Sequence, residues 1–201
     1  MIIALEGLPG WGKTTLSKSL ASEMTAISVP EFVPESWPNV RETAGGTYED
    51  ETIYLLNCEI KSTVEGHFPD SIVVLDRYYL TPLAINFTQF RSGLSNNWEM
   101  VSAWYESSVG TTVIRPSLYI TCDIPIEECN ERKGRSECDL LTWGVIDRLA
   151  IAADFYTNFF NSWEPDIPCL RLDFHLTRHE MASVAKYTIE LLREGMHEHR
   201  R

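Results

Sequence analysis

Residues 7–14 read GLPGWGKT, directly after the apolar run Ile2–Leu5. Gly7, Gly12, Lys13 and Thr14 satisfy G-x-x-x-x-G-K-[ST] between a strand-like run and a helix-like segment, the context in which this pattern becomes a phosphate site. Gly7, Gly10 and Gly12 let backbone N–H groups curve around an anion without side-chain obstruction, while the following helix turns its positive end inward. Lys13 supplies a mobile charge for the outer phosphates, and Thr14 offers a hydroxyl to Mg²⁺. The segment Gly7, Leu8, Pro9, Gly10, Trp11, Gly12, Lys13, Thr14 and Thr15 is therefore expected to hold the phosphates of a nucleotide, ATP above others. A simple Gly/Pro turn capped by a helix would need neither Lys13 nor Thr14.

Three further groups of residues bear on what is done with those phosphates. In SIVVLDRYYLTPLAINF, Asp76 and Arg77 fall where a third apolar strand meets solvent. Asp76 can hold Mg²⁺ directly or through water, and Arg77 can bridge an acceptor and the transferred phosphoryl group; a bare ion pair capping a strand is the alternative. The D-x-x-G and N-K-x-D patterns of GTPases are absent, and DRYY is unlike the apolar-Asp-Glu ending of a hydrolytic motor, so phosphoryl transfer fits better. Glu31 lies between Pro30 and Pro34, which restrict the backbone and can aim its carboxylate at the cradle, or it is an exposed loop carboxylate. Arg132, Lys133 and Arg135 cluster where a helix from Ile126 ends at Gly134. The helix dipole accounts for one such cation and hardly for three.

These residues need a frame that brings them together. Short aliphatic runs at Ile2–Leu5, Ala26–Val29, Ile72–Leu75, Ser117–Thr121 and Cys169–Leu172 read as buried strands. Helical spacing fills the intervals: Lys13–Met24, Tyr48–Gly66, a region from Leu80 to Ser108, Ile126–Lys133, Leu140–Trp163 and Arg178–Glu194. Strands without polar alternation, separated by helices, predict an α/β three-layer fold with a five-stranded parallel sheet and ligands at the carboxyl ends of its strands. The 201 residues suffice for one such domain, and the Pro-rich loop Pro30–Pro38 is too short to separate two. The tail from Gly195 to Arg201 is expected to fray.

Composition narrows the functional classes. A net charge of −12 gives a field that repels nucleic-acid backbones and anionic membranes, so neither a nucleic-acid polymer nor a membrane is an expected partner. An anionic small molecule is still allowed, because salt hides carboxylates more than about 8 Å away and nearby donors decide. The five cysteines form no C-x-x-C and read as reduced structural thiols. No leader-like or membrane-spanning run opens the sequence, and a cytoplasmic location is expected.

With these motifs in order, the chain resembles the thymidylate kinases and their relatives the deoxynucleoside kinases, both P-loop nucleotide kinases. ALEGLPGWGKTT is similar to their E-G-x-x-G-x-G-K-[ST]-T loop, VVLDRYYLTPLA to the thymidylate-kinase D-R-[YH] segment, and RPSLYITCDIPIEECNERKGR to the fourth strand, helix and arginine-bearing lid. The resemblance runs from Ile2 to about Asp173. It implies transfer from MgATP to a pyrimidine deoxynucleoside monophosphate, with Lys13, Arg77, Arg132 and Arg135 catalytic, a lid over residues 132–139 that closes on the phosphates, and a homodimer. Two departures leave the acceptor open. The thymidylate-kinase R-E-P-G-G segment has only the echo RETAGGT, Arg41–Thr47, and VPEFVPESW resembles instead the V-P-E-P-V segment of deoxynucleoside kinases, whose glutamate acts as base toward a hydroxyl. A nucleoside acceptor with Glu31 as base is the alternative, and an accessory nucleotide-binding protein with little turnover is a third. Phe32 and Trp37 either cover a base or pack on the domain; Tyr54 and Asn57 either face the acceptor base or serve packing and solvation; Trp98 and Trp104 read as core.

Overall fold

The structure, a computed structural model, describes residues 1–32, 48–133 and 145–198. Among these, five parallel strands form one sheet: β1 (Ile2–Leu5), β2 (Ile27–Val29), β3 (Val73–Asp76), β4 (Leu118–Cys122) and β5 (Cys169–Leu172), in the order β2-β3-β1-β4-β5. Around them lie α1 (Lys13–Met24), α2 (Tyr48–His67), α3 (Leu80–Arg91), α4 (Trp98–Ser108), α5 (Ile126–Lys133), α6 (Ile146–Ser162) and α7 (Arg178–Glu198). The three-layer α/β fold expected from the sequence is present.

Every residue of β1, β3 and β4 is buried, as strands covered by helices on both faces must be, whereas the outer strands β2 and β5 are partly exposed. Register sets Leu5 of the central strand beside Asp76 on one side and Ile120 on the other. The carboxyl ends of β2, β3, β1 and β4 thus deliver Glu31, Asp76 with Arg77, the glycine loop and Thr121 in sequence along one edge.

The differences from the sequence reading have local causes. The helical region from Leu80 to Ser108 is two helices, because Gly93 takes a left-handed φ of 69° and turns the chain between α3 and α4. The segment expected from Leu140 is helical from Ile146, after an extended Val145; residues 140–144 lie outside the described residues. α7 runs through Gly195 to Glu198 rather than stopping at Glu194. No helix among the described residues is long and apolar enough to cross a membrane. Among the described residues Cys58, Cys122, Cys129 and Cys169 form no disulfide, and burial pushes Cys58 up to about 12 and Cys122 and Cys169 up to about 11, which suits inert packing groups for these three. Cys138 lies outside the described residues.

The core holds a polar centre. Glu164, just past α6, is fully buried, and the hydroxyls of Tyr79 (2.9 Å), Tyr105 (3.0 Å) and Tyr119 turn to its carboxylate, with Arg115 Nε at 3.6 Å. Burial, then the Glu164 charge, pushes the Tyr79 and Tyr105 hydroxyls upward, so they stay protonated as donors. Rings of Phe159 and Trp163 pack on Tyr105, half-buried Trp98 packs in turn on Trp163 and Phe155 at the margin of this core, and Trp104 Nε1 donates to Glu59 at 2.9 Å. Tyr79 also belongs to the Asp76–Tyr79 segment, so the network anchors that segment from below. Glu164→Ala leaves several buried donors without an acceptor and is expected to lower the unfolding free energy by about 3–5 kcal/mol; urea denaturation showing a change under about 1 kcal/mol would refute this anchoring role.

Candidate active site

The loop between β1 and α1 has the backbone the glycine spacing requires. Gly7, Gly10 and Gly12 take φ of 116°, 85° and 104°, a region that side-chain-bearing residues rarely adopt. A Cβ on Gly7 would stand 2.6 Å from Thr121 Oγ1, so the loop and the end of β4 approach as closely as only glycine permits. Beside Gly12 the space is open. There the first turn of α1 presents its N–H groups, the arrangement that binds phosphate oxygens.

Lys13 is buried at 6% exposure, and its Nζ donates to the carbonyls of Gly7 (3.1 Å) and Leu8 (2.6 Å). Burial, then the nearby Arg77, lowers its pKa well below the usual lysine range, against the pull of Glu31, Asp76 and Glu6. An arriving polyphosphate would favour the charged form. Thr14 Oγ1 donates to Asp76 Oδ2 at 2.6 Å, which brings a hydroxyl and a carboxylate oxygen to one point. Such hard oxygens suit Mg²⁺, which takes one or two protein ligands and completes its shell with phosphate and water. Among the described residues no group of three or more His, Cys, Asp or Glu could form an all-protein cage. Thr14 and Asp76 are therefore the residues that would hold the ion.

Arg77 directly follows β3 with a left-handed φ of 60°, unusual for a residue other than glycine. Its guanidinium turns back over the loop: Nη1 donates to the Gly7 carbonyl (3.3 Å) and Thr81 Oγ1 (3.2 Å), and Nε pairs with Glu31 Oε1 at 3.0 Å. Lys13, Arg77, Asp76 and Glu31 are thus brought together. Arg132 stands on the other side of the loop, its Nη1 on the Gly10 carbonyl (3.1 Å) and its guanidinium 5.3 Å from the Phe174 ring. With Trp11, Thr15, Leu176 and Met181, this pair lines a cleft of about 360 Å³. Arg135, Pro34, Trp37 and Arg41–Thr47 lie outside the described residues, as does the expected lid beyond Lys133.

Several positioning residues carried no assignment from sequence. Glu6 is wholly buried and accepts from the backbone N–H of Tyr78 (2.7 Å) and Leu80 (3.2 Å) and from Thr81 Oγ1 (2.7 Å). It caps α3, whose own N-cap, Tyr79, makes no side-chain cap. Burial raises its pKa while these donors and Arg77 oppose that rise. Its signal was a glutamate between an apolar strand and the first loop glycine, where a solvated role would be odd. Lys61, on α2, donates to the carbonyls of Asp76 (3.0 Å) and Arg77 (2.8 Å), holding the strained turn. One turn away, Asn57 Nδ2 donates to the Glu31 carbonyl (2.9 Å), and Tyr54 meets Phe32 edge to face at 5.0 Å. In this structure Tyr54, Asn57 and Phe32 therefore fix the Glu31 segment.

No protein-family model matches the chain. Two curated proteins align with it. One is the probable thymidylate kinase of Thermoplasma volcanium, 26% identical over 165 residues, covering 79% of this chain and 85% of that protein. The other is the probable thymidylate kinase of Thermoplasma acidophilum, 27% identical over 141 residues, covering 67% and 71%. Among solved structures, deoxyadenosine kinase from M. mycoides with bound dATP superposes with a TM-score of 0.75 at 15% identity over 94% of this chain and 100% of that one. The same enzyme with products dCMP and a flexible dCDP gives 0.75 at 14% identity over 94% and 99%. The fold is that of the P-loop kinases, and the chain is thymidylate kinase- and deoxynucleoside kinase-like. A phosphotransferase acting on a nucleoside or nucleotide is the activity these relatives support.

Burial above all pushes Lys61 down to about 8, against the opposing pull of Cys58, Glu31, Asp76 and Glu6. Since the folded value lies below the ordinary 10.5, the unfolded chain holds the proton more tightly. The cost of the buried charge is then fully present below pH 8 and fades as pH rises toward 10.5. Wild type is expected to gain about 2 kcal/mol of stability relative to Lys61→Met from about pH 7 to about pH 9.5 in urea denaturation. An unchanged difference between the two would contradict the buried-amine assignment.

Proposed function

We propose that this protein transfers the γ-phosphoryl group of ATP to a hydroxyl of a nucleoside. The observation that carries the reading is the Glu31–Arg77 pair, 3.0 Å apart beside the phosphate loop. A hydroxyl must lose its proton as it attacks, so it needs a base within reach, and a carboxylate held at a guanidinium is aimed for that task. A monophosphate is already an anionic nucleophile and would meet the Glu31 charge at the same place.

In this reading the loop amides and Lys13 hold the triphosphate, and the donor base enters the cleft that Arg132 and Phe174 line. Mg²⁺ at Thr14 and Asp76 would neutralise phosphate charge. Glu31 takes the proton of the acceptor hydroxyl as its oxygen bonds to the γ-phosphorus; the bond from that phosphorus to the bridging oxygen breaks, and ADP leaves. Arg77 leans on the charge spread over the transferred group. A second reading, in which a pyrimidine deoxynucleoside monophosphate accepts the phosphoryl group, is favoured by the names of both curated relatives.

ADP formation from MgATP with a panel of nucleosides and monophosphates separates the readings. Turnover with nucleosides, lost by about 10²–10⁴ in kcat for Glu31→Gln, is expected. Turnover with monophosphates alone, surviving Glu31→Gln, would favour the second reading, and ATP binding without turnover would place the protein among accessory nucleotide binders. Lys13→Ala should remove at least about 10³ in kcat/KM whichever acceptor is used.

A further inference from the structure

The peptide planes of the phosphate loop are held from two sides. The carbonyls of Gly7 and Leu8 turn to Lys13 Nζ. The next two turn the other way: the Pro9 carbonyl accepts from Cys129 Sγ at 3.1 Å and the Gly10 carbonyl from Arg132 Nη1 at 3.1 Å, both on α5. The change of direction falls at Pro9, the one residue of the loop without an N–H, so no donor is wasted there.

No peptide bond among the described residues is cis. In a trans peptide the C=O and the following N–H point in opposite directions. Fixing the Pro9 oxygen on α5 therefore turns the Gly10 N–H away from α5, toward the side on which Lys13 stands, and fixing the Gly10 oxygen does the same for the Trp11 N–H. Contact is tight at this point, since a Cβ on Gly10 would stand 3.2 Å from Arg132 Cβ. Pro9 and Cys129 are both buried. Without the thiol, the Pro9 carbonyl would lose this donor in a place water does not reach, and the peptide would gain by rotating, which swings the Gly10 N–H out of the cradle.

We infer that Cys129 is a positioning residue for the nucleotide phosphates, acting through the Pro9 carbonyl to aim the Gly10 amide into the loop. The inference rests on the reading of residues 7–15 as a nucleotide cradle. It assigns α5 a function in the resting loop, before any lid moves.

The test titrates MgADP into full-length wild type, Cys129→Ala and Cys129→Ser by calorimetry, with KM for ATP, kcat and thermal midpoint for each. Cys129→Ala is expected to weaken MgADP and raise KM for ATP about three- to tenfold while kcat and the acceptor's KM hold, and Cys129→Ser, which keeps a donor, to recover most of that loss. In ¹⁵N-labelled wild type, the Gly10 amide resonance should move on adding MgADP, a readout that does not depend on any variant folding. Wild-type affinity in Cys129→Ala, equal losses in the serine and alanine variants, or an unmoved Gly10 amide in a protein that binds MgADP would overturn the inference. Absence of MgADP binding by the wild type would overturn the cradle reading itself.

Discussion

Two cations, Lys13 and Arg77, are buried at the carboxyl edge of the sheet, and the rest of the site is arranged to keep them there. A buried ion without compensation costs several kcal/mol, far more than the fraction of a kcal/mol that a surface ion pair returns. Arg77 is compensated by Glu31 and by oxygens of Gly7 and Thr81; among the described residues Lys13 donates to two carbonyl oxygens and stands 5.2 Å from the Trp11 ring centre, with Glu31, Asp76 and Glu6 felt at longer range. Lys13 is the less satisfied of the two, and its lowered pKa records that. A polyanion entering the loop would supply the missing negative charge, so the binding energy is stored in the resting arrangement.

Holding Arg77 in place draws on elements far from the phosphates. Its left-handed backbone is strained, and Lys61 clasps the two carbonyls on either side of the turn. Glu6 ties the turn to the start of α3 from within the sheet, and Tyr79 continues it into the Glu164 network beneath. The Asp76–Tyr79 segment is thereby fixed at both ends of its short course. Asn57 and Tyr54 perform the same service for the Glu31 segment from the other side. One face of α2 thus carries three of the groups that position Glu31, Asp76 and Arg77, which is why Asn57 and Lys61 are buried in a helix whose sequence shows no motif.

Local pattern made much of this readable in advance. The glycine spacing, the strand before it and the helix after it follow from covalent rules that act over a few residues, and α1 runs over Lys13–Met24 as the spacing predicts. Glu31 and Arg77 could each be picked out from their strand ends, but their meeting depends on β2 and β3 being neighbours, which pairing order decides. Lys61 and Cys129 were not readable for the same reason: each acts on a carbonyl of a segment distant in the chain, and a backbone group leaves no trace in the sequence of its partner; Glu6 left a signal in its place but none of its partners. The break between α3 and α4 was readable in principle, since Gly93 sits in a run of turn formers, and helical periodicity on both sides obscured it.

The claim that the loop and its two cations form a triphosphate site is tested most directly by comparing MgATP with adenosine in titrations of wild type and Arg77→Met. The account predicts one MgATP per chain with adenosine at least about 100-fold weaker, because phosphate contacts carry the affinity, and a clear loss for MgATP in the variant. Adenosine binding as tightly as MgATP, or MgATP indifferent to the removal of the Arg77 charge, would contradict it.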